Sequence, residues 1–298
     1  MNKLILVFAI VALISSCSEP SPTSDALRNK IQTILSDKNA IVGVSVIGPD
    51  GKDTLSINGT RHCPMQSVFK MHIALAVLAE VDKGRMSLSD QIAVRPSELL
   101  PDLWSPLRDE HPEGGTFTIE RLIQYAVSQS DNVACDVLIR VMGGPEVISN
   151  YFTEMGFKDF QIEVNEQQMQ SQWDQMQRNW TTANTSSLIL SKFHDRKTTP
   201  LSEQTYAFFW ETMKATSTGE KRLKGLLPQG TVVAHKTGTS DATERGLTPA
   251  TNDIGVIYLP DGSPVIISVF VADSKENEET NERIIAELAK AVYDNYTK

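Results

Sequence analysis

The chain has 298 residues, 40% of them hydrophobic and 22% charged, enough for one large core or two joined subdomains and without repeats or low-complexity tracts. Its formal charge of −9 and the lack of any basic stripe exclude a nucleic-acid partner, which needs clustered Lys and Arg against the phosphates. The five histidines (His62, His72, His111, His194, His235) and three cysteines fall at no metal-ligand spacing, so neither a metal nor another cofactor is expected.

The N-terminus reads as an export signal. Asn2-Lys3 precedes eleven apolar residues, Leu4 to Ile14. That is short of the roughly 20 residues a membrane-spanning helix needs, but it suits a cleaved secretory segment. The ending Ile14-Ser15-Ser16-Cys17 resembles a bacterial lipoprotein cleavage box. Residues 1–16 are then removed, Cys17 carries lipid, and residues 17–24 form a polar tether; an ordinary signal with an incidental cysteine is the competing reading. The expected location is periplasmic, attached to a membrane only through Cys17. In an oxidising compartment Cys63 and Cys135 could pair, but two cysteines 72 residues apart define no framework and the bridge stays open.

Ser24 can cap a helix with Leu27, Ile31, Ile34 and Leu35 on one face. The β-branched run Ala40–Gly48 reads as a strand, ends in the turn Pro49-Asp50-Gly51, and leads to a second strand near Thr54–Asn58. Helical periodicity then dominates to about residue 210, as in "IERLIQYAVSQS" and "VACDVLIRVMG". Strands return in "GTVVAHKTGTS", and "IGVIYL" and "PVIISVFVA" flank the hairpin Pro260-Asp261-Gly262-Ser263. The closing segment aligns Ile285, Leu288, Val292 and Tyr296 on one helical face. The order predicts an α/β fold. Residues 25–62 and 210–298 form an antiparallel sheet flanked by the terminal helices, with an all-α subdomain (63–209) inserted and a site at the junction.

Within "MQSVFKMHIALAV" a serine and a lysine stand one helical turn apart among core residues. Ser67-x-x-Lys70 alone is weak, since two fixed residues arise by chance about once per 300-residue chain. Two triplets follow, Ser130-Asp131-Asn132 between helical patterns and Lys236-Thr237-Gly238 after a strand. Each would arise by chance in only about one chain in fifteen to twenty. A serine hydroxyl needs a base within hydrogen-bond reach, residues i and i+3 share a helix face, and a lysine in a partly desolvated cleft can accept a proton. Ser67 at a helix start also has a free backbone N–H, which with that of Thr239 could form an oxyanion hole.

In this order the three motifs resemble the serine β-lactamases of class A, over nearly the whole mature chain. The resemblance implies a cofactor-free, monomeric enzyme of the β-lactamase/transpeptidase-like fold, acting on β-lactam small molecules. In it Ser67 is the nucleophile, Lys70 its proton partner and Ser130 the proton relay to the lactam nitrogen. Asn132 would hold the substrate's side-chain amide. Lys236 and Thr237 would face the substrate carboxylate, with Gly238, Thr239 and Ser240 continuing the strand edge along which it lies. Trp104, in "LWSPL", falls where family members carry an aromatic at the cleft mouth; core packing is the alternative.

The motifs alone do not separate a lactamase from a DD-peptidase or an inactive binding relative. Class A enzymes deacylate with a glutamate in the pattern Glu-x-x-Leu-Asn. Here "VNEQQMQ" offers Glu166, with Met169 and Gln170 in the later positions and Glu163 as competitor. The family's loop-pinning Arg and Asp are replaced by Val164 and Asn179, so the loop is expected to be held by packing of Trp173, Met176 and Trp180. The carboxylate-binding arginine some members carry is Thr251 here, which leaves Arg222 for that role, or as a solvated residue in "GEKRLKG". Val164, Gln170, Asn179 and the "KTGTS" run resemble the PER, VEB, CepA and CfxA branch, which mostly hydrolyses cephalosporins, often extended-spectrum ones.

Overall fold

The computed structural model describes residues 22–298. The expected export segment, Cys17 and the expected tether up to residue 21 lie outside the described residues; residues 22–24, expected to close the tether with Ser24 as a cap, belong instead to the first helix, Pro22–Leu35. Five strands form one antiparallel sheet in the order Thr54–Ile57, Ile41–Ile47, Pro264–Ser274, Thr248–Tyr258, Val233–Thr239. The first long strand is thus closed by the last strand of the described residues: Ile41 lies opposite Ala272 and Ile47 opposite Ile266. Tyr258 and Pro264 face each other across the hairpin, where Gly262 supplies the positive φ (84°) the turn requires.

Both faces of the sheet are covered, which is why its inner strands read as nearly continuous apolar runs. The terminal helices Pro22–Leu35 and Glu278–Tyr296 bury Leu27, Ile31, Ile285, Leu288 and Val292 against Val44, Val46, Ile267 and Val269. The other face contributes Phe270, Ile254 and Val256 to a larger core shared with the helical block. The helix Phe69–Asp82 runs through that core. It is apolar all round, as a fully enclosed helix must be, and every residue from Phe69 to Ala79 is buried, Lys70 included.

The block departs from the all-α expectation in two ways. Ala183–His194 leaves it for the sheet: Ser187 Oγ donates to Ser268 Oγ (2.9 Å) and Ser45 O (3.3 Å). Short strands also stitch its loops together, Cys63–Pro64 pairing with Trp180–Thr181 and Gln91–Val94 with Gly115–Thr118. Cys63 and Cys135 are both buried and free, so the bridge left open does not form. Burial pushes the Cys63 thiol up to about 11 and Cys135 well above its usual value, leaving both unreactive.

Truncating the terminal-helix contact, Leu288→Ala, should cost about 2–5 kcal/mol in urea unfolding. Glu287→Ala, one residue away and engaged only in a surface pair with Arg283, should stay within about 0.5 kcal/mol. Equal losses would show that this face is not core.

Candidate active site

Ser67 sits in a tight turn, Gln66–Val68, that runs straight into the Phe69 helix. Gln66 holds φ at +47°, a strained setting for a residue with a side chain, and so turns the Ser67 N–H out of the helix. One turn on, Lys70 has no solvent exposure. Its Nζ lies 2.8 Å from Ser67 Oγ, 2.9 Å from Ser130 O, 2.5 Å from Asn132 Oδ1 and 2.7 Å from Glu166 Oε1. Residues far apart in the chain therefore meet on one ammonium.

Ser130 reaches it from a second strained turn, with φ at +58°. Asp131 makes that turn stable as the N-cap of the helix Asn132–Met142. Its carboxylate accepts from Ala134 N (2.8 Å), Leu107 N (2.7 Å) and Ser105 Oγ (2.9 Å), and burial raises its pKa. Lys236, also without exposure, donates to Ser130 Oγ at 2.9 Å. Burial, helped by the charge of Lys70, holds Lys236 well below the usual lysine range, so it gives up its proton readily.

Lys236 lies on the sheet's edge strand. Tyr258 N donates to Val232 O and Ser240 N to Ala250 O. Antiparallel alternation therefore turns the N–H groups of Thr237 and Thr239 outward, toward Ser67. The two walls enclose a cleft of about 320 Å³ lined by Ser67, Ser130, Asn132, Gln170 and Thr237 to Asp241. Trp104 lines it too. The residue is 61% exposed and its Nε1 donates to Gln129 O (3.1 Å), so it stands at the mouth and is not packed in the core.

Arg222 is buried, not solvated: only 4% of it is exposed. It lies behind the edge strand, donating to Thr239 Oγ1 (2.8 Å), Gly238 O (3.2 Å) and Asn252 O (3.1 Å) and pairing with Glu282 (3.2 Å). It reaches the cleft through the Thr239 hydroxyl. Thr218, bonded to Thr237 Oγ1 at 2.6 Å, adds a hydroxyl to the same wall.

Glu166 opens a short helix, Glu166–Ser171, capped by a reciprocal Asn165–Gln168 pair. It is buried; Oε1 lies 3.4 Å from Ser67 Oγ, and Oε2 has no protein partner. The competitor Glu163 is engaged elsewhere, by Arg178 (2.6 Å) and Gln161. Of the packing expected to hold this loop, Met176 lies against the main core, the side chain of Trp173 lies outside the described residues, and a polar clamp is added. Asn179 accepts from Glu163 N (2.9 Å) and Val164 N (3.1 Å) and donates to Val164 O (2.8 Å), so one buried amide replaces an ion pair. Trp180 contributes only at the edge, stacked on the exposed His62.

A second clamp went unread in the sequence. Asp136 accepts from Glu166 N (2.7 Å) and Gln167 N (3.0 Å), tying the loop to the helix that begins at Asn132. Its spacing of four residues from Asn132, on one helical face, was the available signal. Burial, and then the nearby charge of Glu166, push its carboxyl up to about 7. Among the described residues no cluster of metal ligands occurs.

A family model described as a β-lactamase enzyme family matches residues 26–296. The chain is 43% identical to β-lactamase VEB-1 of Pseudomonas aeruginosa, over 98% of its own length and 97% of the relative's. It is 44% identical to the extended-spectrum β-lactamase PER-1 of the same organism, over 98% and 94%. The crystal structure of the TLA-1 extended-spectrum β-lactamase superposes with a TM-score of 0.89 at 45% identity, covering 93% of this chain and all of that one. With a nucleophile turn, a buried lysine and a facing strand edge held in this register, the chain belongs to the class A β-lactamase family, in its PER/VEB/CepA-like branch. It is a β-lactamase enzyme.

Asp136 makes stability depend on pH. Its folded pKa, about 7, lies above the roughly 3.9 of an unfolded aspartate, so its contribution is full below that value and is lost as pH rises toward 7. Relative to Asp136→Asn, the wild type should lose stability between about pH 4 and 7, by at most about 1.4 kcal/mol per unit, and then level off. Urea melts of both proteins across that range check this; parallel curves would overturn the assignment.

Proposed function

We propose that this enzyme hydrolyses cephalosporins, extended-spectrum ones included, through an acyl-enzyme on Ser67. The observation that carries the mechanism is the contact of Lys70 Nζ with both Ser67 Oγ (2.8 Å) and Glu166 Oε1 (2.7 Å). Ser67 Oγ attacks the lactam carbonyl carbon and its proton passes into the Lys70–Glu166 pair. The oxyanion is held by the N–H groups of Ser67 and Thr239. The C–N bond breaks as Ser130, held by Lys236, gives its hydroxyl proton to the nitrogen and recovers the proton taken from Ser67 out of the Lys70–Glu166 pair, which leaves Glu166 a carboxylate again. Glu166 then takes a proton from a water that attacks the ester, its unpartnered Oε2 being free to accept, and Ser67 leaves with its proton restored.

Recognition follows from the walls. Asn132 and Gln170 meet the acylamide side chain, while Thr237, Thr239 and Lys236 meet the carboxylate, with Arg222 supporting from behind. Trp104 closes over the bound ring system. The proposed substrate range rests on likeness to relatives named as extended-spectrum enzymes. We also propose a monomer, exported to the periplasm and anchored through a lipidated Cys17.

Two measurements test this reading. Mass spectrometry of Glu166→Gln with a cephalosporin should trap an adduct on Ser67, with turnover down about 10²–10⁴-fold, whereas the wild type turns substrate over without accumulating one. A long-lived adduct on the wild type would overturn cephalosporin hydrolysis driven by Glu166. Arg222→Ala should raise KM for carboxylate-bearing substrates about tenfold, and an unchanged KM would remove Arg222 from recognition.

A further inference from the structure

The two N–H groups assigned to the oxyanion hole come from different parts of the fold, Ser67 from the start of the helical block and Thr239 from the edge of the sheet. Their separation must be set to within a fraction of an ångström for both to reach one oxygen. We propose that Asn252 is the positioning residue that sets it, an inference that rests on the reading of Ser67 and Thr239 given above.

Asn252 lies on the strand Thr248–Tyr258 and is fully buried. Its cross-strand partner is Gly238, the residue before Thr239. Its side-chain Nδ2 reaches off the sheet and donates to Pro64 O (2.9 Å) and Met65 O (3.2 Å). Met65 O is also the acceptor of Val68 N (3.2 Å), the bond that closes the nucleophile turn. Among the described residues these are the only hydrogen bonds joining segment 63–68 to the strands of the main sheet. One amide therefore grips the turn that aims the Ser67 N–H, while its own backbone is paired beside the Thr239 N–H.

Close approach at the same point makes the grip effective. A Cβ on Gly238 would lie 2.4 Å from Met65 O and 3.2 Å from Gln66 Cβ, so strand and turn touch through a glycine. From behind, Arg222 Nη1 donates to the carbonyls of both Gly238 and Asn252, fixing the pair along the sheet.

The chemistry calls for an amide. Two carbonyl oxygens need two N–H donors from one atom, which aspartate, leucine or threonine cannot supply. Nor is Asn252 a simple stabiliser: its Oδ1, like Gln66 Nε2 beside the same turn, is buried without a partner. An unsatisfied buried oxygen weakens a fold, so part of what the two carbonyls gain from Nδ2 is given back at Oδ1. What Asn252 contributes is register between the two donors.

The test uses the Glu166→Gln background, in which the acyl-enzyme accumulates, and a substrate carrying a ¹³C-labelled lactam carbonyl. Infrared difference spectra report the hydrogen bonding of the ester carbonyl directly. Adding Asn252→Ala should move that band to higher frequency and broaden it. Acylation should slow about 10–100-fold, with substrate affinity before acylation changed less than about threefold. Asn252→Ser, which keeps one donor, should shift it less and in the same direction. Val256→Ala, a cavity in the same strand, should lower stability and leave the band in place. An unmoved band in a folded Asn252 variant would overturn the proposal, as would failure of both Asn252 variants to fold, since a positioning residue leaves a folded chain. If Glu166→Gln with Asn252 intact gave no adduct, the underlying reading of Ser67 would fall instead, a distinguishable result.

Discussion

An ammonium with no access to water must find acceptors inside the protein or lose its charge, and Lys70 is such an ammonium. Four acceptors surround it, and each is delivered by a separate local device: the Gln66 turn, the Ser130 turn, the Asp131-capped helix and the Glu166 loop. Three N–H donors cannot serve four acceptors in full. Of the four acceptor atoms only Ser67 Oγ carries a proton of its own, and it therefore brings that proton into the cluster. Satisfying a buried cation and priming a weak nucleophile are here the same arrangement.

The loop that carries Glu166 shows how a polar clamp can be rebuilt from different residues. Asn179 holds it by neutral hydrogen bonds to three backbone groups, a solution with no ion to desolvate. Asp136 holds it by its first two N–H groups, where the amides of a short helix point outward unpaired. The second device is electrostatically costly, first because it buries the Asp136 carboxylate and then because it sets it near Glu166, with Lys70 the nearby cation. That cost is why this clamp, unlike Asn179, responds to pH.

Much of the fold was legible because hydrophobic periodicity is local. The strand at Ala40–Gly48, the Pro260–Ser263 hairpin and the Ile285–Tyr296 face each announce themselves within a dozen residues. The motifs were legible for a different reason, their improbable joint occurrence. What escaped is what depends on partners far along the chain. An amphipathic helix shows that it has a buried face but not what covers it, so by sequence Ala183–His194 reads as part of the helical block and not of the sheet. Arg222 sits in a run of charged residues that looks solvated; only the folding of that segment behind the edge strand buries it. Asn252 reads as one more polar residue in a strand, its acceptors 187 and 188 residues away. Asp136 had the right helical spacing from Asn132, but nothing in that spacing names a loop thirty residues later as its target.

The pairing of Ile41–Ile47 with Pro264–Ser274 has a kinetic side. A sheet whose first long strand needs one of its last cannot nucleate while the chain is still being made, because closing so long a loop costs entropy that only the finished strand pair returns. Until then the apolar faces of Ile41–Ile47 have no permanent partner, and the nascent chain stays loose and vulnerable to aggregation. The same topology that aligns the cleft also postpones its assembly until the whole polypeptide has arrived.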